Sequence, residues 1–193
     1  MATPVPKPMI IIVPGNGGSG DLLELRSSNF YGWAEKSFLS RGYDVKLQPM
    51  PDPLNAKESI WCPFIVKTLM EHNTENCVLI GHSSGAAAAL RIAERHKLRG
   101  LVLVAAYDSD LGDALEKASG YFSRPFKWDV IKQNCGFILQ FAGEKDDLVP
   151  VAVQRKVSAS LKPKVDYREH PDGDHFFEPC VRRSCCGLFI SCF

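Results

Sequence analysis

A chain of 193 residues is long enough for one α/β domain with a substantial core and too short for two ordinary ones. Apolar residues make up 45% and charged residues 23%, and a formal net charge of +1 leaves no basic surface for nucleic acid. The seven cysteines, together with an N-terminal apolar run of only about six residues, too short for a signal peptide or a membrane span, predict reduced thiols and a cytoplasmic protein.

The first element is Met9–Val13, an unbroken apolar run that suits a strand covered on both faces. It ends in Pro14-Gly15-Asn16-Gly17-Gly18-Ser19-Gly20. A helical pattern over Tyr31–Leu39 and a short strand at Asp44–Leu47 follow, then a rigid turn at Met50-Pro51-Asp52-Pro53. Residues 58–69 read as one amphipathic helix whose inner stripe is Ile60, Phe64, Ile65 and Leu69. Cys77-Val78-Leu79-Ile80 reads as a buried strand, and Ala86-Ala87-Ala88-Ala89-Leu90-Arg91-Ile92-Ala93-Glu94-Arg95 as a helix of high intrinsic propensity. Residues 100–105 form the next buried strand, and 106–135 read as long, irregular and aromatic. Residues 137–141 make another strand, Val151–Leu161 a helix and residues 165–168 a final strand. Strands and helices alternate without repeats or a linker. That pattern predicts one mainly parallel sheet of about six strands with helices on both faces.

Between the third strand and its helix stands Gly81-His82-Ser83-Ser84-Gly85. Strand, Gly-x-Ser-x-Gly, helix is the setting of a nucleophile elbow. The serine needs a turn too sharp for side-chain-bearing neighbours, so Gly81 and Gly85 clear space on both sides. Ligands in such sheets bind beyond the carboxyl ends of the strands, and Asn16, Ser83, the pair Asp146 and Asp147, and His175 all stand at such ends. The order Ser, acid, His is the one that α/β-hydrolases use. His175, in the Gly/Asp loop beyond the last strand, suits a general base better than His170, which closes that strand. His72 and His96 read as surface residues, and His82 is tethered so as to aim away from the Ser83 hydroxyl. Asp146 is preferred to Asp147 as the acid, because it opens an Asp-x-x-Val-Pro arrangement leading into the next helix. Asp147 then reads as a solvated turn or capping residue.

Gly15-Asn16-Gly17-Gly18-Ser19-Gly20 also spells a dinucleotide fingerprint. Such a site calls for a helix starting at once and an acid at the end of the second strand. Here Asp21 leads instead to Arg26-Ser27-Ser28-Asn29-Phe30, and the second strand runs out through Lys46-Leu47-Gln48. The loop is better used as an oxyanion hole, a backbone N–H of Asn16 or Gly17 acting with that of Ser84. Tyr107, Tyr121, Phe122 and Trp128 either wall an apolar substrate pocket or simply cover the sheet. No His/Cys/Asp spacing suggests a metal, and no cofactor is expected.

Val13-Pro14-Gly15-Asn16-Gly17-Gly18, Met50-Pro51-Asp52-Pro53, Glu58-Ser59-Ile60-Trp61, Ile80-Gly81-His82-Ser83-Ser84-Gly85 and Ala118-Ser119-Gly120-Tyr121-Phe122 with Arg124-Pro125 together resemble the small serine hydrolases of the retinoblastoma-binding protein 9 type. The resemblance spans residues 9–177. It implies a compact α/β-hydrolase without a separate cap domain, and a catalytic triad falling on Ser83, Asp146 and His175. The family's namesake carries a Leu-x-Cys-x-Glu motif before the elbow strand, where this chain reads Leu69-Met70-Glu71-His72-Asn73-Thr74-Glu75-Asn76-Cys77. Binding to retinoblastoma protein is therefore not carried over.

The expected organisation is an α/β-hydrolase domain over residues 1–179 and an atypical Cys-rich tail over 180–193. Family members continue into an amphipathic terminal helix. This tail has no helical stripe and reads as the product of an alternative exon or frame, with palmitoylation of its cysteines as the functional alternative. Loss of that helix is expected to uncover apolar sheet surface and loosen the His175 loop. The expected function is hydrolysis of a small ester, thioester or amide through an acyl-enzyme, on a small-molecule or short-peptide substrate. The rival is an interaction protein that keeps the hydrolase scaffold with little turnover.

Overall fold

The computed structural model describes residues 7–177. Six strands, β1 (Met9–Val13), β2 (Asp44–Leu47), β3 (Cys77–His82), β4 (Gly100–Val104), β5 (Ile138–Gly143) and β6 (Val165–His170), form one sheet in the order β2-β1-β3-β4-β5-β6. Every neighbouring pair is parallel. The middle strands β1, β3, β4 and β5 are buried almost residue for residue, which is what their continuous apolar runs dictate for a sheet covered on both faces.

Two apolar cores flank the sheet. One lies under α1 (Leu22–Ser27) and α2 (Tyr31–Leu39), around Tyr31, Ala34 and Phe38. The other lies under α3 (Glu58–Phe64), α4 (Ser84–Ala93), α6 (Trp128–Asn134) and α7 (Val151–Leu161). Helix α5 (Ala114–Ser119) sits between β4 and α6 in the chain. Every residue of α4 is buried, and its small residues Gly85 to Ala89 let it press directly onto the strands.

Three readings need correction. Residues 106–135 are not simply irregular, since they carry α5 and α6. A helix does follow the glycine-rich loop at once: α1, capped by Asp21, whose carboxylate accepts the N–H of Leu23 at 2.8 Å and of Glu24 at 2.9 Å. The stripe drawn along residues 58–69 is also misphased. Ile60 is 38% exposed, whereas Trp61 is fully buried. Pro63 interrupts α3, and the chain continues from Ile65 to Leu69 as a π-helical turn, so a single 3.6-residue period cannot describe the whole segment.

Cys62, Cys77 and Cys135 are unpaired. Burial pushes their thiols up to about 12, 11 and 12, which keeps them protonated and unreactive. Among the described residues no helix is long and apolar enough to cross a membrane, and no cluster of His, Cys, Asp and Glu suits a metal ion. The tail over residues 180–193 lies outside the described residues.

Candidate functional site

The strand order reverses between β1 and β3, because the chain leaves β1 toward β2 on one side and returns to β3 on the other. That switch point opens a crevice at the carboxyl ends of the two strands. Val13 pairs with Gly81, so the loop after β1 and the turn after β3 emerge side by side.

Ser83 stands in that turn with φ +55° and ψ −121°, a conformation that a side-chain-bearing residue holds only under strain. The surroundings enforce it. Ser83 N–H donates to the Val104 carbonyl at 3.0 Å, and the Ser83 carbonyl accepts Ala86 N–H at 2.8 Å as α4 begins. A Cβ on Gly81 would stand 2.4 Å from the Gly85 carbonyl oxygen, and one on Gly85 would stand 2.4 Å from that of Pro14. Glycine is required at both places.

Asp146 and His175 meet across two loops. His175 Nδ1 lies 3.0 and 2.9 Å from the two Asp146 oxygens, and both side chains are buried. Asp146 Oδ1 accepts the N–H groups of Leu148 and Val149 at 3.0 and 2.8 Å, while Gln154 Nε2 donates to Oδ2 at 3.1 Å. Asp147 is exposed. The loop that carries His175 is stitched to the one that carries Asp146: Glu144 N–H donates to the His170 carbonyl, and Lys145 N–H to that of Gly173 at 2.8 Å. Gly143 permits this approach, since a Cβ there would fall 2.2 Å from the Asp174 carbonyl oxygen. His170 closes β6 and takes no part in the pair. Among the described residues no hydrogen bond joins Ser83 to His175, and the two are connected instead through His82, whose Nε2 donates to the His175 carbonyl at 2.9 Å.

The loop after β1 passes over the elbow, where a Cβ on Gly15 would lie 3.2 Å from Ser83 Cβ. Gly17 N–H donates to the Pro53 carbonyl at 2.8 Å, which removes Gly17 from the two loop donors expected for an oxyanion. The backbone N–H groups of Asn16 and Ser84 have no partner among the described residues. A cleft of about 100 Å³ opens beside Asn16, lined by Gly15, Glu24, Asn29, Tyr31 and Met50 among others.

Of the four aromatics weighed as a pocket wall, only Tyr107 reaches the elbow, its hydroxyl lying 3.1 Å from Ser84 Oγ. Tyr121 is fully buried, and Phe122 and Trp128 pack against the core beneath α4. They cover the sheet side of the fold rather than line the cleft beside Asn16.

Two polar groups at the site escaped the sequence reading, and a third was read only for its direction. Gln154 is fully buried on α7 and holds Asp146. Glu116 accepts a hydrogen bond from Ser84 Oγ at 3.0 Å, and its other oxygen is buried without a hydrogen-bond partner among the described residues; burial pushes its carboxyl above the ordinary value. Glu116 also had a local signal, being the third residue after the capping Asp113.

His82 is the third. Its ring is buried, with Nδ1 2.6 Å from the Tyr31 hydroxyl, so it does aim away from Ser83. Burial above all, with His175 beside it, pushes its ionisation down to about 3. The folded chain then keeps this ring neutral while the unfolded chain binds a proton below 6.5, so stability falls as pH falls through that interval. At pH 4.5 the linkage amounts to about 3 kcal/mol. Urea unfolding at pH 7 and 4.5 should show a loss of this order, and a smaller one in His82→Gln. An equal loss in both proteins would assign the acid sensitivity to other groups.

A parallel sheet wrapped by helices, with a strained serine elbow at its switch point and a buried Asp–His pair beside it, defines an α/β-hydrolase fold. The sequence model of the serine hydrolase family matches residues 10–170, and the chain belongs to that family. It is 45% identical over 167 residues to the rat protein "Serine hydrolase RBBP9", with 86% of each chain covered. Among solved structures it resembles the ydeN gene product of Bacillus subtilis, with a TM-score of 0.75, 23% identity and 88% of each chain covered. It also resembles MGS-MChE2, an α/β hydrolase from lagoon-sediment metagenome, with a TM-score of 0.65 and 16% identity over 89% of this chain and 83% of that one. These two likenesses bear on the fold.

Proposed function

We propose that this hydrolase cleaves small esters, thioesters or amides, on a small-molecule or short-peptide substrate, by a Ser-His-Asp triad and an acyl-enzyme. The observation that carries the reading is the buried Asp146–His175 pair. A carboxylate can only accept, so the Nδ1 nitrogen bears the proton and the opposite nitrogen, Nε2, keeps a free lone pair. That lone pair takes the Ser83 proton as Oγ attacks the carbonyl carbon. The oxyanion forms against the N–H groups of Asn16 and Ser84. Collapse breaks the bond to the leaving group, which receives the proton from Nε2, and water then repeats the sequence to free the acid and Ser83. The small cleft beside Asn16 supports a compact group on one side of the scissile bond.

A fluorophosphonate probe tests this, because it labels only a serine activated in this way. Labelling of the wild-type chain and its loss in Ser83→Ala is the expected result. Undiminished labelling in Ser83→Ala would place the reactive group elsewhere.

A further inference from the structure

The mechanism above uses the ring of His175 but not that of His82, the residue just before Ser83. His82 lies wholly inside the protein, packed edge-on to Phe30 and Tyr31, with ring centroids 5.6 and 5.7 Å away, and beside His175 at 4.8 Å. A buried imidazole must satisfy both nitrogens, and the partners here decide how. The His175 carbonyl can only accept, so His82 Nε2 carries the proton and donates it at 2.9 Å. In a neutral ring Nδ1 is then the acceptor, and the Tyr31 hydroxyl must donate to it at 2.6 Å. Tyr31 in turn accepts Gly15 N–H at 3.0 Å. The direction is fixed at both ends: Gly15 N–H to Tyr31 Oη, Tyr31 O–H to His82 Nδ1, His82 Nε2–H to His175 O.

The ends of this chain are informative. Gly15 immediately precedes Asn16, whose N–H faces the proposed oxyanion, and the His175 carbonyl belongs to the residue proposed as base. The middle is bonded directly to Ser83. A second tie runs in parallel, from Asn29 Nδ2 just before α2 to the Phe176 carbonyl at 3.3 Å. We infer that His82 and Tyr31 are positioning residues, a neutral polar strut that holds the His175 backbone and the Asn16 loop in register about Ser83. This inference rests on the catalytic reading of Ser83 and His175.

The strut needs a donor where Nε2 stands, not a base or a charge. Glutamine can place an amide N–H there, and leucine cannot. Misplacing a reacting group by about 1 Å costs on the order of a hundredfold in rate. For a neutral ester, His82→Leu should therefore lose kcat by about that factor with KM little changed, and His82→Gln should recover most of it. Tyr31→Phe removes the donor that fixes the ring, and should lower kcat by about tenfold while leaving the fold intact. The imidazole nitrogen shifts of ¹⁵N-histidine protein should show His82 as a neutral Nε2–H tautomer between pH 5 and 8 (roughly the range in which a free ring titrates), and in Tyr31→Phe the same tautomer with the Nδ1 resonance moved toward that of an unbonded nitrogen.

Wild-type kcat in His82→Leu would overturn the strut, as would a His82→Gln chain as impaired as the leucine one. Should His82→Leu not fold, Tyr31→Phe decides: an unchanged kcat overturns the proposal, and a lowered kcat with a moved Nδ1 resonance supports it. Ser83→Ala run alongside separates the two claims. Turnover retained there overturns the catalytic reading, whereas turnover lost there and unchanged in the His82 and Tyr31 variants overturns only the strut.

Discussion

Asp146→Asn lowers kcat by about four orders of magnitude without unfolding the chain. The expectation follows from what else binds the carboxylate. Oδ1 accepts two main-chain N–H groups, from Leu148 and Val149, and no amide nitrogen can take that place. An asparagine must therefore turn its carbonyl oxygen toward them and its NH2 toward His175 Nδ1 and Gln154 Nε2. Two donors then face each other. His175 escapes by giving up the Nδ1 proton and taking the other tautomer, which places a proton on Nε2 and blocks it as a base. The measurement is steady-state hydrolysis of a neutral activated ester, with thermal unfolding as the control. A kcat within tenfold of wild type would mean that Asp146 does not set the state of His175.

The second large effect concerns stability. Arg91 sits on α4, the helix that starts at the elbow, and its side chain is 1% exposed. It pairs with Glu94 at 2.7 Å, donates through Nε to the Tyr121 carbonyl at 2.9 Å and through Nη1 to that of Pro125 at 3.2 Å, and lies over the Phe126 ring at 3.8 Å. One guanidinium thus satisfies carbonyls of a turn whose own backbone bond is that of Ser123 N–H to the Gly120 carbonyl at 3.3 Å. Arg91→Ala leaves the Tyr121 carbonyl buried without this partner and Glu94 with only the N–H of Lys127, at 2.8 Å, a loss of about 3–5 kcal/mol. For a chain of this size that corresponds to a fall in melting temperature of roughly 6–20 °C. A melting temperature within 2 °C of wild type, where about 1 kcal/mol already moves it by 2–4 °C, would show that the pair and the turn are not held this way.

Much of the fold was legible because its strands are buried on both faces. Continuous apolar runs at β1, β3 and β4 mark parallel strands without ambiguity, and the glycines that flank Ser83 carry the elbow in the sequence itself. What stayed hidden divides by range. The helices α1 and α5 did have a local signal, an aspartate followed three residues later by glutamate at Asp21 and Asp113, which the loop-like composition around them outweighed. The phase of α3 was lost at Pro63, where the local period changes.

The remaining groups act between separate elements, and no local pattern announces them. Gly17 N–H is consumed by Pro53, Gln154 reaches Asp146 from α7, and Tyr31 reaches His82 from α2. Sequence order supplied Asp146 and His175, but the partners that tell Asp146 from Asp147 are main-chain groups and an amide contributed by the fold. The same division explains the aromatics. Composition left a pocket wall and sheet cover equally open, whereas packing sets Tyr121, Phe122 and Trp128 against the core and brings the Tyr107 hydroxyl to Ser84, with Phe122 on its ring at 5.2 Å.

The central claim is that Ser83 forms a covalent acyl intermediate under the control of His175. Intact-mass analysis during turnover of a slowly deacylating activated ester, followed by peptide mapping, tests it directly. The account predicts one added acyl group on the peptide that contains Ser83, absent from both Ser83→Ala and His175→Ala. An acyl group found on Cys62 or on another peptide, or full acylation of Ser83 in His175→Ala, would contradict it.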